Sequence, residues 1–146
     1  SQDQEALQWN KNKMEYCISL EKSYQILFDR LINNVGGSVV CAMVDGELDS
    51  LISRGQVWMP LQKDIILMKG ADCQCHRNSA ALFEANEPKV KIVTGYGLSR
   101  DGIWRQHSWC IDEYNNVIET TIKRIAYYGF VLTNEEAWEV VSIELY

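Results

Sequence analysis

The residues of this chain best able to do covalent chemistry are scarce: five cysteines and two histidines in 146 residues. Two of the thiols and one imidazole stand together in Asp72-Cys-Gln-Cys-His-Arg-Asn-Ser-Ala-Ala-Leu-Phe-Glu-Ala85. Gly70 breaks whatever precedes this stretch, Asp72 is a residue type that caps helix starts, and from Cys75 onward the composition is helical. A thiol in the first turn of a helix, buried along its length, feels the positive end of the dipole and unpaired backbone N–H groups. Both favour the thiolate, so the expected thiol pKa is below the free value of about 8.5. The same N–H groups stabilise an oxyanion. An isolated cysteine is more often a small buried hydrophobe than a nucleophile, so the reading turns on what else the chain supplies.

A nucleophilic thiol needs a base within hydrogen-bond reach and a group that orients the base. His76 adjoins Cys75, and successive side chains on a helix diverge by about 100°, which places it poorly. His107, in Gln106-His-Ser-Trp109, sits mid-strand, and a strand packed across a helix start delivers such a base. Glu119, in Val117-Ile-Glu-Thr-Thr121, is a carboxylate in a β-rich run and calls for a partner unless it faces outward. Trp58 and Gln62 are candidates for a second oxyanion donor. Tyr127-Tyr128-Gly129 reads as aromatic core or as the wall of a groove. Cys17, Cys41 and Cys110 read as buried structural thiols. The competing site class is zinc, with Cys73, Cys75, His76, His107 and Cys110 as potential ligands. A C-x-C spacing is too tight to share one ion comfortably, and His107 and Cys110 fall on opposite faces of one strand.

The elements that must position these groups follow from periodicity and punctuation. Residues 4–33 read as one long helix or two successive ones, with Cys17, Leu20, Tyr24, Leu27, Phe28, Leu31 and Ile32 forming the inward stripe and Gly36-Gly37 ending it. Residues 39–44 are a short strand or a buried turn, 48–53 a further helical turn, and 56–60 irregular because of Pro60. After the Cys75 helix, residues 90–99, 103–111 and 117–122 read as a three-stranded antiparallel meander, with 130–132 a further strand. Thr133-Asn-Glu-Glu136 is a capping box that opens a last helix.

Strand geometry adds a condition. His107 reaches Glu119 only if both share a sheet face, so residue numbers paired across the hairpin must sum to an even number. A two-residue Asn115-Asn116 turn gives an odd sum. The connection is therefore expected to hold three or five residues, such as 112–116, with an Asn in the left-handed region. In the five-residue case His107 faces Thr121 and Glu119 reaches it diagonally.

Taken in order, Gln74-Cys-His-Arg-Asn-Ser-Ala-Ala-Leu82, Val90-Lys-Ile-Val-Thr-Gly-Tyr-Gly97, His107-Ser-Trp109 and Val117-Ile-Glu-Thr-Thr121 resemble the core of the transglutaminase-like branch of the papain-like cysteine hydrolases. The likeness covers roughly residues 70–125. It implies an α+β papain-like domain, an antiparallel sheet packed against a helix carrying the nucleophilic Cys. It implies Cys75 as nucleophile, His107 as base and Glu119 as the orienting acid, where the family usually has Asp. Members include peptidases, amidases, deamidases, acyltransferases and proteins that have lost catalysis. The implied substrate is a peptide or another amide or ester, with no cofactor. A non-catalytic interaction domain of the same fold is the alternative.

The totals set the frame. The length suits one domain over residues 1–146, with 1–69 mostly helical and 70–146 carrying the Cys helix and the sheet. A net charge of −6 argues against a nucleic-acid or anionic-membrane partner. No apolar run approaches membrane-spanning length, no signal peptide opens the chain, and the cysteines lack the rhythm of a disulfide framework. A reducing, cytoplasmic setting is the expectation.

Overall fold

The computed structural model describes residues 2–146, and the fold is α+β. Helix α1 (Gln2–Leu20) is polar and buries Asn10 and Cys17, whereas Leu20, expected in the inward stripe, is exposed. Helix α2 (Tyr24–Asp29) runs into a π-helical segment, Arg30–Val35, and this pair supplies Tyr24, Leu27, Phe28 and Leu31 to the core. Gly36 caps the run, and Gly37 follows with φ of 88°; a Cβ there would stand 2.9 Å from both Leu98 and Trp104. The remaining helices are α3 (Leu48–Arg54), α4 (Cys75–Asn86) and α5 (Asn134–Leu145). The last opens on the expected capping box, Thr133 accepting from the Glu136 N–H while the Glu136 carboxylate accepts from the Thr133 N–H.

Strands β1 (Val39–Val40), β2 (Gln56–Trp58), β3 (Ile66–Leu67), β4 (Lys91–Leu98), β5 (Ile103–Ile111), β6 (Val117–Glu119) and β7 (Ala126–Val131) form one mixed sheet. Its order is β2-β7-β4-β5-β6-β3, with β1 attached to β5. The centre is antiparallel: β4 pairs β5 along its whole length and β7 along most of it. Both β1 on β5 and β3 on β6 are parallel. The meander thus stands, and three strands from the supposedly helical first half join it. Residues 56–60 are the clearest correction, because β2 pairs with β7 before Pro60 ends it.

Alternation along the strands divides the apolar residues between two faces. One carries the larger core, where Ile92, Tyr96, Leu98, Trp104, Cys110 and Phe130 meet the helices. The other carries a smaller core of Trp58, Ile65, Val93, Trp109, Ile111, Val117 and Tyr127. Helix α4 lies on the first face, against β5 and α5. It buries Ser79, Ala80 and Phe83 rather than its whole length. No helix is long and apolar enough to cross a membrane among the described residues.

Candidate functional site

Cys75 is the first residue of α4, as its sequence context requires, although the cap is Gln74 rather than Asp72. Asp72 pairs instead with Lys69 at the surface, and Cys73 takes a left-handed φ of 59° just before the helix. The helix start is fastened to the sheet: His76 Nδ1 lies 2.6 Å from Ser108 Oγ, which is 3.1 Å from Thr94 Oγ1. His76 is thereby occupied on the side of the sheet away from His107.

The orientation of β5 explains what the Cys75 thiol meets. Ile103 bonds toward β4 and Trp104 toward β1, so even-numbered residues of β5 point their backbone groups away from β4. Pairing with β6 stops at Cys110 and Ile118. The Ser108 N–H therefore lies beyond the end of the ladder, and it faces the half-buried thiol together with the His76 N–H. These N–H groups and Arg124 pull the thiol pKa down, but burial is the largest effect, and it and the Glu119 charge raise it above the ordinary value. The expected low-pKa thiolate is thus corrected: desolvation of a half-enclosed sulfur outweighs the helix end.

On β5, His107 is the residue before Ser108, and it is 1% exposed. Its Nε2 lies 2.7 Å from Glu119 Oε1. The register is the one the diagonal contact needs. Cys110 pairs with Ile118 and Ile111 with Val117, an even sum, leaving a five-residue connection from 112 to 116 with Asn115 at φ of 66°. β6 ends at Glu119, so Thr121 turns back toward the carboxylate instead of pairing with His107. Glu119 is fully buried and accepts five hydrogen bonds. His107 Nε2–H and the Tyr127 hydroxyl reach Oε1, while the Thr120 N–H, the Thr121 N–H and the Thr121 hydroxyl reach Oε2.

Burial alone would raise the Glu119 pKa, yet the His107 hydrogen bond and charge, the Thr121 N–H and Arg124 together hold it below the ordinary carboxylate value. Burial lowers the His107 pKa despite the carboxylate beside it. An ionised Glu119 that accepts from Nε2–H fixes the tautomer, leaving Nδ1 as the basic nitrogen. His107 and Glu119 are thus joined directly. Cys75 is linked to them through charge and the Ser108 backbone, and no Cys75–His107 hydrogen bond forms among the described residues.

Other expected participants go elsewhere. The Trp58 indole N–H donates to Asn115 and the Gln62 amide to the Arg124 carbonyl, so neither is free as an oxyanion donor. Cys17 and Cys110 are buried, but Cys41 is exposed. Among the described residues, no three His, Cys, Asp or Glu side chains stand close enough to share a metal ion. Tyr127 is core, as its aromatic run suggests, and also a site residue through its hydroxyl. Half-buried Arg124 acts electrostatically on Cys75, His107 and Glu119, and nothing in its charged sequence context signals that.

Two hollows border α4. One, of about 520 Å³, is lined by His76, Ser108, Thr94, Asp45, Glu47 and Glu139 among others. The other, of about 470 Å³, is an open, mainly apolar groove beside Met68, Gly70, Asn78, Leu82 and Thr120. Compared with protein-family models, with curated proteins and with solved structures, the chain matches none.

Proposed function

We propose that this is a papain-like, transglutaminase-like domain that performs thiol-dependent acyl chemistry on an amide or ester, with Cys75, His107 and Glu119 as its triad. The observation that carries this reading is the buried His107–Glu119 pair, 2.7 Å apart, with Nδ1 left basic on the strand whose next N–H faces the Cys75 thiol. A buried imidazole needs an acceptor for its N–H, but a neutral one would suffice; buried titratable pairs with displaced pKa values concentrate at functional sites.

The raised thiol pKa and lowered imidazole pKa mean that both groups rest neutral. The thiol proton therefore moves as the bond forms. Cys75 Sγ attacks the carbonyl carbon while His107 Nδ1 takes the proton, and Glu119 stabilises the resulting imidazolium without accepting that proton. The contact closes on substrate binding, as catalytic hydrogen bonds often do. N–H groups at the start of α4 and of Ser108 hold the oxyanion. Collapse expels the amine or alcohol, which takes the proton from His107, and leaves a thioester on Cys75. Water or a second amine then attacks the thioester, giving the acid or a new amide and restoring the thiol.

Alkylation by iodoacetamide near neutral pH tests the base. Cys75 is expected to depend on His107, slowing at least about tenfold in His107→Ala, within the usual range for general-base assistance. Exposed Cys41 should be unchanged. Equal rates at Cys75 in the two proteins, read by peptide mass spectrometry, would remove His107 from the mechanism.

A further inference from the structure

Arg124 is a cation without an anion. Its side chain lies flat on β4, so that a Cβ at Gly97 would stand 2.8 Å from its Cγ and 3.3 Å from its Nε. Gly97 shares a strand face with Gly95, the cross-strand partner of His107. The Arg124 backbone is tied into the site, because its N–H donates to the Tyr127 hydroxyl, which donates to Glu119. Of the guanidinium, Nη1 donates to the Ile122 carbonyl, while Nε is buried with no acceptor. No Asp or Glu among the described residues pairs with it. Glu119 cannot, since five hydrogen bonds already fill its oxygens.

Buried donors without acceptors are rare and call for a reason. In a chain of net charge −6, this one sits on a cation within electrostatic reach of the thiol. The edge formed by Nε and the second amino group is the one a carboxylate takes with two parallel hydrogen bonds. We propose that Arg124 determines specificity: the compound attacked by Cys75 is an amide or ester carrying a free carboxylate close to its reacting carbonyl, and the guanidinium edge receives that carboxylate. This rests on Cys75 being the nucleophile, as argued above. Turning the side chain off Gly97 exposes the edge, at the cost of its packing on the glycine and of the Nη1 hydrogen bond to the Ile122 carbonyl.

Iodoacetate and iodoacetamide differ by the group in question, a carboxylate against an amide, and alkylate the same sulfur. The expected result is that the iodoacetate-to-iodoacetamide rate ratio is higher at Cys75 than at exposed Cys41 of the same molecule. It should fall about tenfold in Arg124→Gln, the size expected for a lost charge-assisted contact, and less in Arg124→Lys. In the unaltered protein, molar salt should lower the ratio at Cys75 more than at Cys41, a measurement that needs no variant to fold. A Cys75 ratio equal to that of Cys41, or unmoved by Arg124→Gln, overturns the proposal. His107-independent alkylation by iodoacetamide overturns the nucleophile itself, and that outcome is read from the neutral reagent alone.

Discussion

Glu119 is the residue on which the site's chemistry and the fold's stability coincide. Five donors converge on a carboxylate with no solvent exposure, so Glu119→Ala would strand all of them. A buried donor left without its acceptor costs about 1–3 kcal/mol, so urea denaturation should show a loss of at least that size. The pH dependence has a definite sign. The folded His107 pKa is depressed below 6.5, so as pH falls the unfolded chain takes this proton first and stability declines from about 6.5 downward. The folded Glu119 pKa is depressed below 4.5, so its contribution is complete above that value and is lost as pH falls further through the folded pKa. Urea midpoints should therefore drop between about pH 7 and pH 5, and His107→Gln should flatten that part of the curve. A drop of equal size in the variant would mean that His107 is not held neutral. In the sequence, the contact of His107 with Glu119 was legible from residue type and order. The thiol's raised pKa was not, because it depends on how deeply the sulfur is enclosed.

At the scale of elements, the β5–β6 hairpin sets whether His107 and Glu119 meet. The parity condition was legible because side chains alternate with a period of two, so contact between residues 107 and 119 demands an odd-length connection. Asn115 provides it with a φ of 66° and also accepts from the Trp58 indole N–H, tying β2 to the turn. A β-branched residue tolerates that backbone poorly, so Asn115→Val should cost about 1–3 kcal/mol. It should also weaken the His107 dependence of Cys75 alkylation, since the register carries the pair. Thr133→Ala, at the capping box of α5, is the contrasting case. It should cost about 1 kcal/mol in urea denaturation and leave that dependence intact. Local signals such as the capping box survive into the structure because both partners lie within four residues. By contrast, β2 and β3 hide in the sequence, since their partners β7 and β6 lie about 50 residues or more away and each strand is only two or three residues long.

In the whole molecule, one sheet separates two cores and the site lies where its ladder ends. His107 and Glu119 pack against Trp109 and Tyr127 of the smaller core, α4 packs on the larger, and the thiol faces the Ser108 N–H beyond the point where β6 stops pairing with β5. In the proposed mechanism, that gap in the ladder is where a helix on one face would serve a histidine on the other. No local sequence signal marks it, because it depends on where β6 leaves β5. The central claim is that the gap holds a nucleophile, and a covalent acyl intermediate tests it most directly. Incubation with p-nitrophenyl acetate followed by rapid acid quench and peptide mapping should place one acetyl group on Cys75. In His107→Ala that acetylation should be slowed at least about a hundredfold, because acylation and its proton transfer are then both unassisted. Acetylation spread over exposed Cys41 and Cys73, or equally fast at Cys75 without His107, would contradict the account.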